Sequence, residues 1–478
     1  MKKKDLLIVG RLVTDILYVY GFMLLVPMVI GLFAAEYAQA ITFGAGAALI
    51  IPLCLVLRRT LSATQAADRH AAIALALSWT LLSLLSSVPF AVHGLYWVDA
   101  LFESFSGWTD TGFTMIPHPG ELPLSLGVFR VLVQWVSGLG IVILMLFLQG
   151  PSPRAARSLF QAEGRFEDFT SNIWHIGRTI VLMYVGYTFA GFVLFWMLGV
   201  PPFHALTHAI TSLSTGGFST NSVGVGAYGL WPSVVAMALM LCGGISFSSH
   251  RALLGGDLKK FWRNPEIRTL FAIIAAASGL LLLEQIIVRG RVLDRLLTSV
   301  FYVVSAITTC GAGTTTPLSD MPDMSVFTIV FLMISGAMYG STTGGLKLWR
   351  LIIVAKLVGQ QVKRPFYPEG TVMPIRMGNN VISPQVALQV TTYALLYVAI
   401  GLAGSLVLML FGIRSLHALF TVFSAQGNIG LNAMPDAAYY GMHPALKLQL
   451  VFHMLIGRME ILPLFYLLRA TRDTLRSA

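Results

Sequence analysis

Charge is what this chain has least of. Of its 478 residues only 11% are Asp, Glu, Lys or Arg, against 56% hydrophobic, and the mean hydropathy is +0.76. Soluble domains carry roughly a quarter of their residues charged, so a soluble protein is excluded and a polytopic membrane protein is indicated. Cysteine is nearly as scarce. Cys54, Cys242 and Cys310 sit singly in apolar or turn contexts, which excludes a disulfide framework and a cysteine zinc site. Acidic residues are outnumbered 21 to 32 by basic ones, and no two aspartates fall in facing apolar segments, so an intramembrane aspartic protease has no candidate dyad. A cleavable leader is not expected. The apolar run after MKKKDLLIVGR has no small-residue cleavage site and continues for about a full span, as an uncleaved first helix does.

Against these absences stands one pattern that occurs four times, at intervals of roughly a hundred residues: SGWTDTGFT, TSLSTGGFST, SAITTCGAGT and SAQGNIGLN. Aligned on the glycine after the small polar run, the copies set Thr111, Gly216, Cys310 and Ile429 in register just before that glycine, and the candidate filter residues are Thr109, Asp110, Thr111 and Gly112; Thr215, Gly216, Gly217 and Phe218; Thr309, Cys310, Gly311 and Ala312; and Asn428, Ile429, Gly430 and Leu431. The aligned glycines are Gly112, Gly217, Gly311 and Gly430. Each copy follows a short amphipathic stretch and precedes a longer apolar run, so the repeated unit reads as helix, short re-entrant helix, glycine turn, helix. Backbone carbonyls can replace the water shell of a monovalent cation only where the chain takes conformations that side chains obstruct. Irregular backbone at membrane depth must be buried in protein or line a wet cavity. Four such turns about one axis make a ring of carbonyls.

The fold class that follows is an all-α polytopic membrane protein with four helix–pore-loop–helix repeats plus an extra N-terminal helix pair. The expected division is 1–70 for the helix pair, 71–165 for the first repeat, 166–268 for the second, 269–382 for the third and 383–478 for the fourth. Pro27 and Pro52 are expected to kink the N-terminal pair. Ten crossings are expected, near 12–34, 42–57, 71–93, 128–148, 178–199, 232–249, 269–288, 327–362, 386–412 and 446–468, so both termini share one side. That side holds most of the basic residues, among them Lys2, Lys3, Lys4, Arg58, Arg59, Lys259, Lys260, Lys363 and Arg364, whereas the other holds chiefly Arg289, Arg291, Arg295 and Arg414. The positive-inside rule makes the basic side cytoplasmic. The net charge of +11 thus marks orientation at a lipid membrane, not nucleic-acid binding, and all four glycine turns enter from outside.

Several residues call for individual readings. Asp110, inside the first turn, either favours cations or caps the turn through backbone N–H groups. Arg130, Gln134 and Trp135 lie near the outer end of the first repeat's second helix, before the small residues of SGLG (Ser137 to Gly140) that allow close helix contact. His204 and His208 stand at metal-ligand spacing, but no third ligand is near in sequence, and polar residues at a pore-helix rim are the better reading. In the third repeat the run SVFTIVFLMISGAMYGSTTGGLKLWRLIIVAKL is too long for one crossing and is broken by Gly340, Ser341, Thr342, Thr343, Gly344 and Gly345. A polar break there lies beneath the turns, where a loop can obstruct the path. Lys347, just beyond, either contacts lipid head groups or reaches into the vestibule. In the fourth repeat Arg458 and Glu460 fall within an apolar helix, where ionisable residues are costly and usually functional. Arg458 either faces the path and repels cations or pairs with Glu460.

Taken together, FRVLVQWVSGLGI, STGGFST, GSTTGGLK and GRMEI resemble the TrkH/KtrB superfamily of potassium transporters, and the N-terminal helix pair resembles the TrkH branch. The resemblance covers nearly the whole chain. It implies a pseudo-fourfold pore, K⁺ as the transported ion with no organic cofactor in this chain, selectivity at Gly112, Gly217, Gly311 and Gly430, and gating by the break at Gly340–Gly345 and by Arg458. It further implies a homodimer and a cytoplasmic nucleotide-binding regulatory subunit of the TrkA type. Asp110 and Cys310 depart from the family's usual small hydroxyl residues and leave the preference for K⁺ over Na⁺ open. The function expected is K⁺ uptake across a bacterial-type inner membrane, driven by the membrane potential, with the question of H⁺ or Na⁺ coupling left open by the residues. An enzyme is not expected. A solute symporter would need matching breaks in two halves, whereas the period here is four.

Overall fold

The structure is a computed structural model that describes residues 3–61, 68–140, 173–289, 293–378 and 380–459. Among them, six helices are long and apolar enough to cross a membrane, or seven if a bent pair in the second repeat counts as one crossing. Shorter apolar helices make up the remaining pieces of the repeats.

Each repeat has the same plan. A long first helix is followed by a short pore helix, a turn and a second helix. The first helices are Asp68–Val92, Ile173–Met197, Pro265–Arg289 and Pro384–Leu410; the pore helices are Trp97–Trp108, Pro202–Ser214, Leu293–Ile307 and Ser415–Gln426; the second helices are Leu124–Leu139, Leu230–Gly244, Asp323–Ser335 and Pro444–Met459. Their packing closes on itself. Trp97–Trp108 packs on Leu124–Leu139, that helix on Pro202–Ser214, and so on through Leu230–Gly244, Leu293–Ile307, Asp323–Ser335 and Ser415–Gln426 to Pro444–Met459, which returns to Trp97–Trp108. Pore helices and second helices thus alternate around a ring in chain order. This is the pseudo-fourfold arrangement.

Each first helix packs outside the ring on the pore helix of its own repeat. Their outward faces remain apolar and exposed, as at Phe189, Ile287, Leu388 and Leu395, which suits a lipid solvent. The pore helices are buried. Nine of the twelve residues of Trp97–Trp108 are buried, from Val98 to Trp108. Their polar side chains find local partners: the Trp108 indole donates to Ser86 Oγ at 2.7 Å, which in turn donates to the Tyr20 hydroxyl at 2.9 Å.

Of the two prolines expected to kink the N-terminal pair, Pro27 breaks its helix. The first crossing is divided into Lys3–Met23 and Leu25–Phe33, because Pro27 has no N–H to offer the carbonyl of Met23. Pro52 lies inside Tyr37–Thr60 without interrupting it. The pair also supports the first repeat. The Glu36 carboxylate accepts from the backbone N–H groups of Leu124 (2.6 Å) and Ser125 (2.9 Å), capping the first turn of Leu124–Leu139 from another part of the chain.

A difference from the expected spans lies at the end of the second repeat. The span expected as continuous over 232–249 stops at Gly244 and turns by 110° into Phe247–Leu254. Ser246 is the N-cap of the new helix, its hydroxyl accepting from Ser249 N, and this local alternative to helix continuation makes the break. In the third repeat the expected break is present but begins earlier, at Gly336, and continues to Lys347 before Leu348–Lys363 resumes. The following connection carries a small antiparallel hairpin, Ile375–Met377 with Asn380–Ile382.

Candidate functional site

The four glycine turns share one backbone construction. Every pore helix ends at a residue in the left-handed region: Asp110 (φ 57°), Thr215 (64°), Thr309 (53°) and Asn428 (53°). The next residue then donates its N–H back five positions: Thr111 to Ser106 O, Gly216 to Thr211 O, Cys310 to Ser305 O and Ile429 to Ser424 O, all at 2.9–3.0 Å. This is the helix-terminating Schellman bond. After it the aligned glycines also turn left-handed, Gly112 at φ 88°, Gly217 at 71°, Gly311 at 74° and Gly430 at 84°. Asp110 therefore occupies the position that Thr, Thr and Asn fill in the other turns, one that Asp and Asn tolerate better than most side chains.

The turns close into a ring. A side chain on Gly112 would land on the carbonyl oxygen of Gly216, one on Gly217 on that of Cys310, one on Gly311 on that of Ile429, and one on Gly430 on that of Thr111. In every case the carbonyl belongs to the residue just before the aligned glycine of the next repeat, and the fourth repeat returns to the first. Glycine is required here twice over, by φ and by contact.

All four glycines open onto one cavity of about 660 Å³, lined also by Arg130, Ser219, Thr314, Asn432 and Tyr440. The ring is its floor.

Side chains behind the turns hold them in place. Glu103, fully buried, accepts from Arg130 Nε at 2.5 Å, from Met115 N at 2.9 Å and from Thr114 Oγ1 at 3.1 Å. Arg130 reaches on to donate to Ser219 O (2.9 Å) and lies 3.7 Å over the Phe218 ring. This ion pair joins the first turn to the second with its charges internally compensated. Gln134 brackets the second turn, donating to Gly216 O at 2.5 Å and accepting from Phe218 N at 3.1 Å. The Asp110 carboxylate lies at the same joint, beside Gly216 and Gln134. Asn428 joins the fourth turn to the first by donating to Thr111 Oγ1 at 3.1 Å, and anchors itself on Met454 O at 2.8 Å. Cys310 is buried and points its thiol toward Thr211 O, 3.6 Å away.

On the side of the ring away from the cavity runs the broken segment Gly336–Lys347. Left-handed Gly336 (φ 62°), Gly340 (74°) and Gly345 (72°) turn it, and its residues 340–344 bond to two of the four turns and approach a third closely. Thr342 Oγ1 meets Thr215 Oγ1 at 3.0 Å and donates to Gly243 O at 3.1 Å. Gly344 N donates to Thr309 Oγ1 at 2.9 Å. A side chain at Gly344 would strike Gly427 O in the fourth repeat. Ser341 and Thr343 share a hydroxyl contact of 2.8 Å. Arg458 completes the set from the fourth repeat: it donates to Thr342 O at 3.3 Å and to Ser137 O in the first repeat, and lies 5.5 Å from the Trp79 ring. Its partner in the alternative reading, Glu460, lies outside the described residues. Lys347 is buried with φ 70° and its ammonium lies 5.7 Å from the Tyr339 ring.

His204 meets Thr220 Oγ1 through Nδ1, while His208 is buried against the rings of Phe195 and Tyr228. No cluster of three or more metal-binding side chains occurs among the described residues. Glu103 escaped the sequence reading altogether: it sits in an amphipathic stretch whose helical spacing offers no sign that its carboxylate turns inward to meet Arg130.

A helical membrane protein whose four turns close into a backbone ring at the floor of a cavity belongs to the pore-loop class of transport proteins. More particularly, the chain belongs to the TrkH family, described as a cation transport protein, whose model matches residues 37–474. It is 28% identical over 471 residues to an uncharacterized cation transporter of Methanocaldococcus jannaschii, covering 98% of this chain and 96% of that one. It is 29% identical over 423 residues to the Trk system potassium uptake protein TrkH of Salmonella typhimurium, covering 84% and 86%. The crystal structure of the potassium transporter TrkH from Vibrio parahaemolyticus superposes with a TM-score of 0.84 at 25% identity, over 98% of this chain and 99% of that one.

Proposed function

We propose that this protein takes up K⁺, and with it Rb⁺, through the centre of the glycine ring, in keeping with the potassium transport of its named relatives. The observation that carries the reading is the position of the ring between an open cavity on one side and the broken segment on the other. Backbone oxygens in the turns replace the ion's water, and the fixed circumference set by Gly112, Gly217, Gly311 and Gly430 decides which ion is served. The segment Gly340–Gly345 with Lys347 and Arg458 is the gate, closed in this arrangement because it is bonded to the underside of the turns.

The driving force needs no chemistry in this chain. A membrane potential contributes about 2.3 kcal/mol per charge per 100 mV, which at about 1.36 kcal/mol per decade amounts to roughly fifty-fold accumulation. A gated pore suffices for uptake with or without a coupled H⁺ or Na⁺. The proposal extends to an inner-membrane location with both termini cytoplasmic, to a homodimer, and to a cytoplasmic nucleotide-binding subunit of the TrkA type, on the strength of family membership and of the distribution of Lys and Arg.

The test is ⁸⁶Rb⁺ uptake into proteoliposomes containing the purified protein alone, with K⁺, Na⁺ and Li⁺ as competitors. Uptake blocked by K⁺ and barely by Na⁺ is expected. Strong Na⁺ competition would retain the pathway but overturn its K⁺ preference, pointing to Asp110 and Cys310. Absence of any cation flux would overturn the function.

A further inference from the structure

We propose that the cytoplasmic elbow 246–268 is a binding surface for anionic phospholipid headgroups, and that its occupancy sets the position of the broken segment beneath the ring; the second half rests on the gating reading above. The first observation is geometric. Leu230–Gly244 lies in the ring of helices, and the 110° bend that follows turns Phe247–Leu254 away from it. A helix that leaves a membrane-crossing helix at such an angle runs close to the membrane plane. Phe247–Leu254 and Leu258–Arg263 then fold against each other, with Asn264 Nδ2 donating to Ser249 Oγ at 3.2 Å and Phe261 buried.

The second observation is what this surface exposes. Leu254 is 64% exposed, Leu258 57% and Trp262 51%, while Arg251, Lys259, Lys260, Arg263 and Arg268 are exposed beside them. The acidic residues of the stretch are turned to other work. Asp257 caps Leu258–Arg263 by accepting from Lys260 N at 2.9 Å, and Glu266 accepts from Tyr339 N at 2.9 Å. Leu and Trp interleaved with Lys and Arg on an in-plane helix is the composition of an interfacial anchor. A soluble partner would leave the apolar half of this surface unexplained, whereas a leaflet with negative headgroups satisfies both halves.

The third observation joins the elbow to the broken segment at each of its ends. Ahead of it, Gly244 O accepts from Met338 N at 3.2 Å and Phe247 N donates to Gly340 O at 3.3 Å. Behind it, Glu266 holds Tyr339 N. Displacing Phe247–Arg263 against the bilayer therefore shifts Met338, Tyr339 and Gly340, the residues that lead into Ser341–Gly345.

The experiment uses the full chain in vesicles of phosphatidylcholine with increasing phosphatidylglycerol. Direct contact is read by quenching with lipids brominated on the acyl chain, taking the difference between the wild type and Trp262→Phe to isolate the signal of Trp262. Gating is read by ⁸⁶Rb⁺ uptake in the same vesicles. Brominated phosphatidylglycerol is expected to quench Trp262 at least twofold more than brominated phosphatidylcholine. Lys259→Gln, Lys260→Gln and Arg263→Gln together are expected to abolish that preference and the dependence of uptake on phosphatidylglycerol, each basic residue contributing roughly a fivefold factor in association. Equal quenching by the two lipids overturns the lipid site, and a shift of the triple variant from dimer to monomer in place of a lipid effect makes the face a subunit interface. Preferential quenching with uptake indifferent to lipid composition overturns the coupling to the broken segment. If no vesicle takes up Rb⁺, the transport reading fails, while the quenching still decides whether lipid binds.

Discussion

Thr342 and Thr215, 127 residues apart in sequence, touch through their hydroxyl oxygens at 3.0 Å. The contact places the broken segment of the third repeat directly against the left-handed residue that opens the second repeat's turn. Thr342 also donates to Gly243 O at 3.1 Å, so one side chain ties the segment both to a turn and to the helix end from which the elbow departs.

Thr342→Val keeps the shape of the side chain and removes those bonds. Losing buried hydrogen bonds of this kind costs about 1–3 kcal/mol. If the segment closes the path, the loss falls on the closed arrangement and basal ⁸⁶Rb⁺ uptake rises roughly tenfold. Deleting residues 340–344 should raise it further. Unaltered basal uptake in both variants would remove the segment from the gate.

Gly311→Ala tests the ring where its neighbour is closest. The left-handed φ of 74° costs an L-residue about 1–2 kcal/mol, and the new methyl would meet Ile429 O. The ring must widen or shift, so discrimination between K⁺ and Na⁺ in competition assays is expected to fall while some flux persists. Gly217→Ser should act in the same way against Cys310 O. Full discrimination in both would dismiss the assignment of the ring as the selective element.

Asp110→Asn separates charge from conformation. Asn occupies the same left-handed position at residue 428, so the turn is expected to form and protein yield to be unchanged. A carboxylate at roughly 8 Å from a passing cation, with an effective dielectric near 20, attracts it by about 2 kcal/mol. The concentration of Rb⁺ giving half-maximal uptake should accordingly rise by roughly thirtyfold. An unchanged value would assign Asp110 a purely conformational role.

What could be foreseen from the chain divides along physical lines. The repeats were legible because Gly112, Gly217, Gly311 and Gly430 answer a local demand, a left-handed turn after a helix, and local demands leave a mark at fixed spacing. The break in the third repeat showed itself for the same reason. Other features depend on contacts between distant residues. Glu103 with Arg130, Glu36 over the N-terminus of Leu124–Leu139, and Glu266 on Tyr339 each join segments that sequence spacing cannot bring together. The bend after Gly244 was missed for a different reason: the span over 232–249 reads as continuous, and the Ser246 cap that ends it is accompanied by a bond from Phe247 N to Gly340 O in another repeat.

Arg458 offers the sharpest test of the site, because its two sequence readings lead to opposite results. Its guanidinium bridges Thr342 O and Ser137 O beneath the ring, so it both holds the segment and places a positive charge near the path. At roughly 10 Å and an effective dielectric near 20, that charge repels a K⁺ ion by about 1.7 kcal/mol, which is more than a tenfold effect on rate. Arg458→Ala removes the repulsion and the tie together and should raise ⁸⁶Rb⁺ uptake at least tenfold. Arg458→Gln keeps a donor for Thr342 O without the charge, and should raise uptake by the electrostatic part alone. A mechanical role without electrostatics would leave Arg458→Gln at the wild-type rate. Loss of folded protein in both variants, with no rise in flux per folded molecule, would make Arg458 a structural residue and return the gate to Gly340–Gly345 alone.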